Sequence, residues 1–217
     1  MDARLDVKSS VKVIELIEKT YPDSHYYLDF STPIELLVAA ILSAQTRDTV
    51  VNGITPKLFK KYHTAKDYSE ANQKELESYV SGVSFAGNKV RNIIRACEIV
   101  DKEYGGRVPN EMKSLLELPG IGRKTANTIL INAYGIVEGI PVDTWVIKIS
   151  NRTGLSVEKN PDNIEEDLKA IVDKKYWKNI AYAMKAHGHA ICRSSIPLCS
   201  KCFLNKLCMR NGVKDSG

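Results

Sequence analysis

The 217-residue chain carries 31 basic and 26 acidic residues, a formal net charge of +5, and 43% of its residues are hydrophobic. This balance excludes a disordered chain, and the length suits one large domain or two small ones. No apolar run reaches the about 18 residues of a membrane span, and the N-terminus lacks the apolar core of a signal peptide. We therefore expect a cytoplasmic protein, or a nuclear one in a eukaryote. The mild basic excess suits an anionic partner without identifying it.

Apolar residues recur at helical spacing along nearly the whole chain, which predicts an all-α protein. The first helix carries Val11, Ile14 and Ile17 and ends before Pro22. The second begins at Ser31 or Thr32, and its continuous apolarity predicts that it is buried. Further helices are expected at about residues 47–61, 70–80, 88–104, 110–117, 123–134, 144–153, 162–173 and 176–191.

The stretch LPGIGRKTA, residues 118–126, joins two of these helices. Gly120 and Gly122 permit a positive φ and a close approach of backbone N–H groups to a ligand, and such a turn at a helix N-terminus binds anions. No strand precedes it and no third glycine follows, so it is not a dinucleotide fingerprint. A nucleic-acid phosphate is the favoured anion, and a tight connection without a ligand is the alternative.

Four cysteines lie within residues 192–208, at Cys192, Cys199, Cys202 and Cys208. A reducing compartment disfavours disulfides, so these thiols are candidates for holding a metal. Four close thiolates serve zinc or an iron–sulfur cluster equally well. Cys97 is expected to be a small core residue.

Three motifs together resemble the endonuclease III family of DNA base-excision glycosylases. LPGIGRKTANTIL is similar to its helix-hairpin-helix, PVDTWV to the end of its Gly/Pro-rich loop with the aspartate, and the spacing C-x6-C-x2-C-x5-C to its [4Fe-4S] loop. The resemblance runs from about Leu36 to Cys208, with the motifs in the family's order.

The resemblance implies the helix-hairpin-helix DNA glycosylase fold, with two helical lobes and a C-terminal [4Fe-4S] loop at residues 192–208. A helical barrel domain would span residues 27–136, with the helix-hairpin-helix at about 110–134. The second lobe would combine residues 1–26 and 137–217. DNA would lie across the cleft between the lobes, where Lys124 and Asp143 would face each other.

The resemblance also implies the catalytic residues. The matching lysine of the family, here Lys124, attacks C1′ of the damaged nucleotide and forms a Schiff base that permits β-elimination. Asp143 matches the family's aspartate, which stabilises positive charge on the sugar and shuttles protons; an N-cap role is its alternative. The remaining hairpin residues are expected to bind DNA: Leu118, Gly120, Gly122 and Arg123.

Extrusion of a base from a duplex leaves a gap that the protein fills. Gln45 matches a gap-filling residue of the family, and Phe85 stands near its inserted apolar residue. Ser84 and Ala86 flank Phe85 where the family carries a glycine and an aromatic residue. Trp145 stands where the family commonly carries histidine, and we expect it to be a core aromatic rather than part of the pocket floor.

Basic residues in and beside the cysteine loop suggest phosphate contacts that position the DNA, with Arg193 the main candidate. The alternative is a purely structural staple for the C-terminus.

The predicted function is that of a DNA glycosylase and AP lyase that removes oxidised pyrimidines, with a [4Fe-4S] cofactor. Its partner would be double-stranded DNA with damaged bases or abasic sites, and the enzyme would act as a monomer. The alternatives are a monofunctional thymine/uracil or adenine mismatch glycosylase, and a non-catalytic DNA-binding metal module. Ala39 and Ala40, where adenine glycosylases carry a catalytic glutamate, and the presence of Lys124 disfavour the first pair.

Overall fold

The computed structural model describes residues 3–217, and helices are the regular secondary structure of that range. Its residues form two compact units. Residues 27–136 make up the first, called here the continuous unit, and the segments up to Tyr26 and from Val137 to Gly217 make up the second, called the split unit. The all-α fold class is confirmed.

The continuous unit contains seven helices in its described residues, and the longest, α6, covers Ala86–Tyr104. The others are α2 at Pro33–Ser43, α3 at Asp48–Phe59, α4 at Ala65–Ser69, α5 at Gln73–Tyr79, α7 at Met112–Leu116 and α8 at Arg123–Tyr134.

Helix α2 lies in the core of this unit. Thr32 accepts a hydrogen bond from the backbone N–H of Glu35, whose carboxylate accepts in return from the N–H of Thr32, and Pro33 takes the first helical position. This capping box fixes where the helix begins. Ile34 and every residue from Leu36 to Leu42 are buried, as continuous apolarity predicts.

The split unit is built around helices α1, α9, α10 and α11, which share one apolar core. The cysteine loop packs against that core through Phe203, Leu204 and three of its four thiols. The helices cover Val7–Thr20, Thr144–Thr153, Pro161–Ile171 and Ile180–Ala190, and short 3₁₀ helices lie at Lys174–Tyr176 and Cys199–Lys201.

Helices α9 and α11 meet where Trp145 packs on Gly188. A Cβ atom at position 188 would lie 2.2 Å from Cε3 of the indole, so only glycine fits there. The indole also packs on His189, with ring centroids 4.8 Å apart, and Lys148 Nζ lies 4.9 Å from the indole centroid. Trp145 is therefore a structural aromatic that seats α9 on α11.

The helix predictions fail at two places, α4 and the start of α11. Helix α4 was not predicted, although the capping box of Thr64 and Asp67 marks its start. Helix α11 begins at Ile180 rather than near residue 176, because residues 174–176 form a separate 3₁₀ helix. The indole N–H of Trp177, directly after that 3₁₀ helix, donates to the Val172 carbonyl at 2.8 Å. Across residues 3–217, no helix has the length and apolarity of a membrane span.

Candidate active site

The hairpin, residues 112–134, consists of α7, a turn and α8. Gly120 has a φ of +86°, and a Cβ atom there would lie 3.0 Å from Nδ2 of Asn92. The turn is closed by the N–H of Ile121, which donates to the Leu118 carbonyl at 3.1 Å. The backbone conformation therefore favours glycine at position 120, and the close approach to Asn92 on α6 also disfavours a side chain there.

Helix α8 begins at Arg123, with Gly122 as its N-cap. Neither a capping side chain nor an acidic residue complements the first turn. Arg123 and Lys124 lie in that turn and are half-buried. The positive end of the helix dipole and two basic side chains thus favour an anionic ligand at the hairpin.

Leu118 was predicted to bind DNA, and its side chain is buried at 2% exposure. Its backbone N–H already donates to the Leu115 carbonyl. A contact of Leu118 with a ligand is therefore restricted to its main-chain atoms.

Asp143 is the N-cap of α9 and belongs to the split unit. Its Oδ1 accepts hydrogen bonds from the backbone N–H groups of Trp145 at 2.8 Å and Val146 at 2.9 Å. The N-cap alternative raised from the sequence is confirmed. Both bonds fall on Oδ1, so the cap fixes the carboxylate without using Oδ2.

Gln45 and Phe85, the two candidate gap-filling residues, both have left-handed backbone conformations, with φ of 52° and 56°. Gln45 lies in the turn after α2, and Phe85 is the N-cap of α6. The side chain of Gln45 is exposed, and that of Phe85 is 65% exposed. An exposed phenylalanine on a strained backbone is unusual, because folding alone gains nothing from it.

All four thiols of the cysteine loop line one cavity in the split unit, together with apolar side chains such as Ile191 and Leu204. All four cysteines are free rather than paired in disulfides. Within residues 3–217, no group of three or more His, Cys, Asp or Glu side chains is placed to hold a metal ion. The four thiols around a shared cavity are a soft donor set.

Burial, followed by repulsion from the other three cysteines, raises the pKa of Cys202 to about 11. Burial also raises the pKa of Cys208. Ionisation of Cys202 and Cys208 in this buried loop therefore needs neutralising cations.

Arg152, on α9, holds the start of the cysteine loop. Its Nη1 donates to the carbonyls of Cys192 at 2.8 Å and Arg193 at 2.7 Å and lies 3.4 Å from Cys192 Sγ. Its Nη2 donates to the Ser194 carbonyl at 3.2 Å. The Arg193 side chain is exposed, as a phosphate contact requires.

His187 packs beside the loop: its Nδ1 lies 3.3 Å from the Tyr21 hydroxyl, and its Nε2 lies 3.7 Å from Cys202 Sγ. Burial lowers the pKa of His187 to about 4. It is a neutral, packed histidine. Cys97 is fully buried, as expected from the sequence.

Sequence reasoning missed Arg152, Asn92 and Lys89, whose roles depend on contacts between distant positions. Basic residues are frequent along the chain, so nothing in the sequence distinguishes Arg152 from the arginines at the surface.

Comparison with known proteins identifies relatives over almost the whole chain. Residues 38–174 match the model of the family described as "HhH-GPD superfamily base excision DNA repair protein". Endonuclease III of Synechocystis sp. is 40% identical over 199 residues, which cover 92% of this chain and 91% of that one. Endonuclease III of Rickettsia conorii is 36% identical over 197 residues, which cover 91% and 93%.

Among solved structures, a trapped endonuclease III–DNA covalent intermediate superimposes with a TM-score of 0.90. The two chains are 36% identical, and the match covers 94% of this chain and 96% of that one.

Proposed function

Because the chain belongs to the endonuclease III family of HhH-GPD base excision DNA repair proteins, we propose that Lys124 and Asp143 carry out its reaction on oxidised pyrimidines. The enzyme is a base-excision-repair DNA glycosylase with AP lyase activity, and its substrate is DNA. A DNA substrate supports a location with the chromosome, in the cytoplasm or, in a eukaryote, in the nucleus.

The position of Lys124 is the observation that carries the proposal. It is the second residue of α8, directly after a glycine turn that favours phosphate. The solved relative was trapped as a covalent DNA intermediate, which requires a nucleophile in that protein. A lysine beside a turn that favours phosphate would lie near the DNA backbone, which supports its assignment as the nucleophile.

In the proposed reaction, the neutral Lys124 amine attacks C1′ and the bond from C1′ to the base breaks. The base leaves with the bonding electron pair and receives a proton. Opening of the sugar gives a Schiff base between Nζ and C1′. Loss of a proton from C2′ then expels the 3′ phosphate by β-elimination, and water releases the lysine.

Asp143 stabilises the positive charge that develops on the sugar and moves protons. Its capping bonds hold the carboxylate in one orientation through Oδ1. Oδ2 is the oxygen that serves the reaction. The same side chain thus supports the start of α9 and supplies the negative charge.

We assign Gln45 and Phe85 to the space that the extruded nucleotide leaves. Both side chains are exposed on tight turns of the continuous unit. Insertion of side chains offsets part of the cost of unstacking a base.

We propose that the cysteine loop holds a [4Fe-4S] cluster, which is larger than the single metal ion that these side chains are not placed to hold. The four free thiols that line the cavity would hold it, and the apolar side chains there would shield it. When bound, the cluster supplies positive iron to the thiolates and fixes the loop. Arg193 would then contact a DNA phosphate from a rigid segment.

The test is strand cleavage and borohydride trapping with a duplex that contains one oxidised pyrimidine. Lys124→Gln should abolish both while DNA binding persists, because one contact among several is a small loss. Lys113→Gln, an exposed lysine on α7 of the same hairpin, is the matched control and should behave as wild type. Near-normal cleavage by Lys124→Gln would show that Lys124 is only a phosphate contact.

Asp143→Asn preserves the size and the acceptor oxygen of the cap, so the fold should persist while base release slows greatly. A Schiff base should still form on a pre-formed abasic site. A wild-type protein that binds DNA but releases no base and forms no trapped complex would instead be a non-catalytic module. Release of base without trapping would identify a monofunctional glycosylase.

A further inference from the structure

Lys89 is a buried lysine in the first turns of α6, with a side chain that is not required by the reaction described above. The residue is 6% exposed. Its Nζ donates to the Leu42 carbonyl at 2.7 Å and to Thr46 Oγ1 at 2.8 Å. Both acceptors are neutral oxygens, one a backbone carbonyl and the other a hydroxyl. A buried ammonium without an anionic partner is costly, so its presence here calls for a structural reason.

The acceptors of Lys89 lie at the end of α2. The Leu42 carbonyl is in the last turn of α2, where carbonyls lack helical partners and the helix dipole is negative. Burial lowers the pKa of Lys89. The helix end thus offers the negative field that a carboxylate would otherwise provide.

Thr46 connects this ammonium to a second turn. Its Oγ1 accepts from Lys89 Nζ and from the backbone N–H of Ser84 at 3.2 Å. Thr46 directly follows Gln45, and Ser84 directly precedes Phe85. One hydroxyl therefore links the turns that carry the two exposed gap-filling residues, each one residue from the bridge.

Both linked turns are strained. Among residues 3–217, the non-glycine residues with positive φ are Gln45, Phe85 and Arg210. A non-glycine residue keeps a positive φ only where contacts with its surroundings hold the backbone in that conformation. The contacts that Lys89 and Thr46 make beside both turns supply that restraint.

We infer that Lys89, Thr46, the Leu42 carbonyl and the Ser84 N–H form a clip that presets Gln45 and Phe85 for insertion into the duplex. Lys89 and Thr46 are positioning residues, since they act through the two inserted side chains. The inference rests on the proposed function. If Gln45 and Phe85 are already held in position, they enter the duplex without the entropy cost of ordering two turns. This favours extrusion of the base.

The test measures single-turnover kinetics on two duplexes, one with a thymine glycol and one with an abasic site at the same position. Thr46→Val keeps the shape of the side chain but removes the bridge. It should slow excision of thymine glycol about 5- to 10-fold while cleavage at the abasic site changes by less than about twofold, because no base has to be extruded there. Thr46→Ser restores the hydroxyl and should restore the rate.

Thr55→Val is the matched control. Thr55 is buried on α3 of the same unit, and its Oγ1 has no hydrogen-bond partner in the structure. This variant undergoes the same chemical change without loss of a bond, and it should retain wild-type rates on both duplexes.

Action through the inserted residues is tested in the Gln45→Ala/Phe85→Ala background. There Thr46→Val should slow excision by less than about twofold further, because the residues that it positions are gone. An undiminished 5- to 10-fold loss in that background would overturn the clip. So would a wild-type excision rate in Thr46→Val, or equal losses on the two duplexes.

Failure of the proposed function gives a different result. A wild-type protein that acts on neither duplex would overturn the glycosylase assignment, whereas an active wild type with an unaffected Thr46→Val would overturn the clip alone. Lys89→Met is a second variant that removes both ammonium bonds and should show the same substrate dependence as Thr46→Val.

Discussion

The hairpin and the cysteine loop both present basic residues to DNA in the proposed function, yet the chain holds them by different means. The hairpin is held by two helices, backbone bonds within the turn and the contact of Gly120 with Asn92. The cysteine loop contains one three-residue 3₁₀ helix and depends on side chains from elsewhere, chiefly Arg152.

The conformation of the hairpin is thus supported by its own backbone, whereas that of the cysteine loop depends on side chains from other parts of the split unit. The hairpin needs a small residue at position 120. The loop requires donors to its carbonyls and a ligand for its four thiols.

Loss of the cluster should affect the loop most strongly. We expect about four irons per chain in wild type and almost none in Cys202→Ala, with a loss of about 4 kcal/mol or more in the free energy of unfolding. Proteolysis should cut within residues 192–208, while hydrogen exchange in the hairpin stays slow. Cys97→Ala, in the continuous unit, should retain its iron. Stoichiometric zinc without iron after anaerobic purification would contradict the cluster assignment.

Arg152→Met should reduce the free energy of unfolding by about 2–3 kcal/mol, because three loop carbonyls lose a charged donor. Arg4→Met is the control in the same unit. Arg4 forms an exposed ion pair with Asp167 at 2.6 Å, and its loss should cost about 1 kcal/mol or less. Urea denaturation measures both. Similar losses of unfolding free energy in the two variants would show that the hydrogen bonds of Arg152 to the loop add no more stability than an exposed ion pair.

Gly120→Ala should destabilise the protein by about 1–3 kcal/mol, since its positive φ and its approach to Asn92 both oppose a side chain. Gly122→Ala is the matched comparison for stability. Gly122 has a φ of −103° and no heavy atom within 4 Å of an added Cβ, so a change within about 0.5 kcal/mol is expected. Equal stability of the two variants in thermal unfolding would refute the proposed constraint.

The smallest effect concerns salt. With about 4 to 6 phosphate contacts, the logarithm of the DNA binding constant should fall with the logarithm of salt concentration with a slope near −4 to −5. Arg193→Gln should reduce the magnitude of that slope by about 1. Lys12→Gln, an exposed lysine on α1, should leave it unchanged. An affinity independent of salt would contradict phosphate contacts by either region.

The sequence predicts the long helices well because their apolar periodicity extends over several turns. Helix α4 has only five residues, too few to show a period, and just its capping box marks it. The turn at residues 118–122 and the thiol donor set could also be predicted, since glycine spacing and cysteine spacing are local.

Contacts between distant positions could not be predicted. Lys89 lies 43 residues from Thr46, and helical periodicity gives no reason to connect a lysine on α6 with the end of α2. The left-handed conformation of Phe85 is likewise set by its surroundings, because nothing in its residue type favours a positive φ. The capping role of Asp143 could be raised from the sequence, but only the structure shows that both capping bonds fall on Oδ1.

The packing of Trp145 on Gly188 has a consequence for how this family diverges. The indole fills the space of a Cβ atom on α11, so the residue at position 188 cannot enlarge while Trp145 is present. A smaller ring at position 145 would release that restriction. Residue choices at these two positions should therefore covary among relatives, and a redesign that alters Trp145 alone would leave a void over Gly188 that Gly188→Ala could fill.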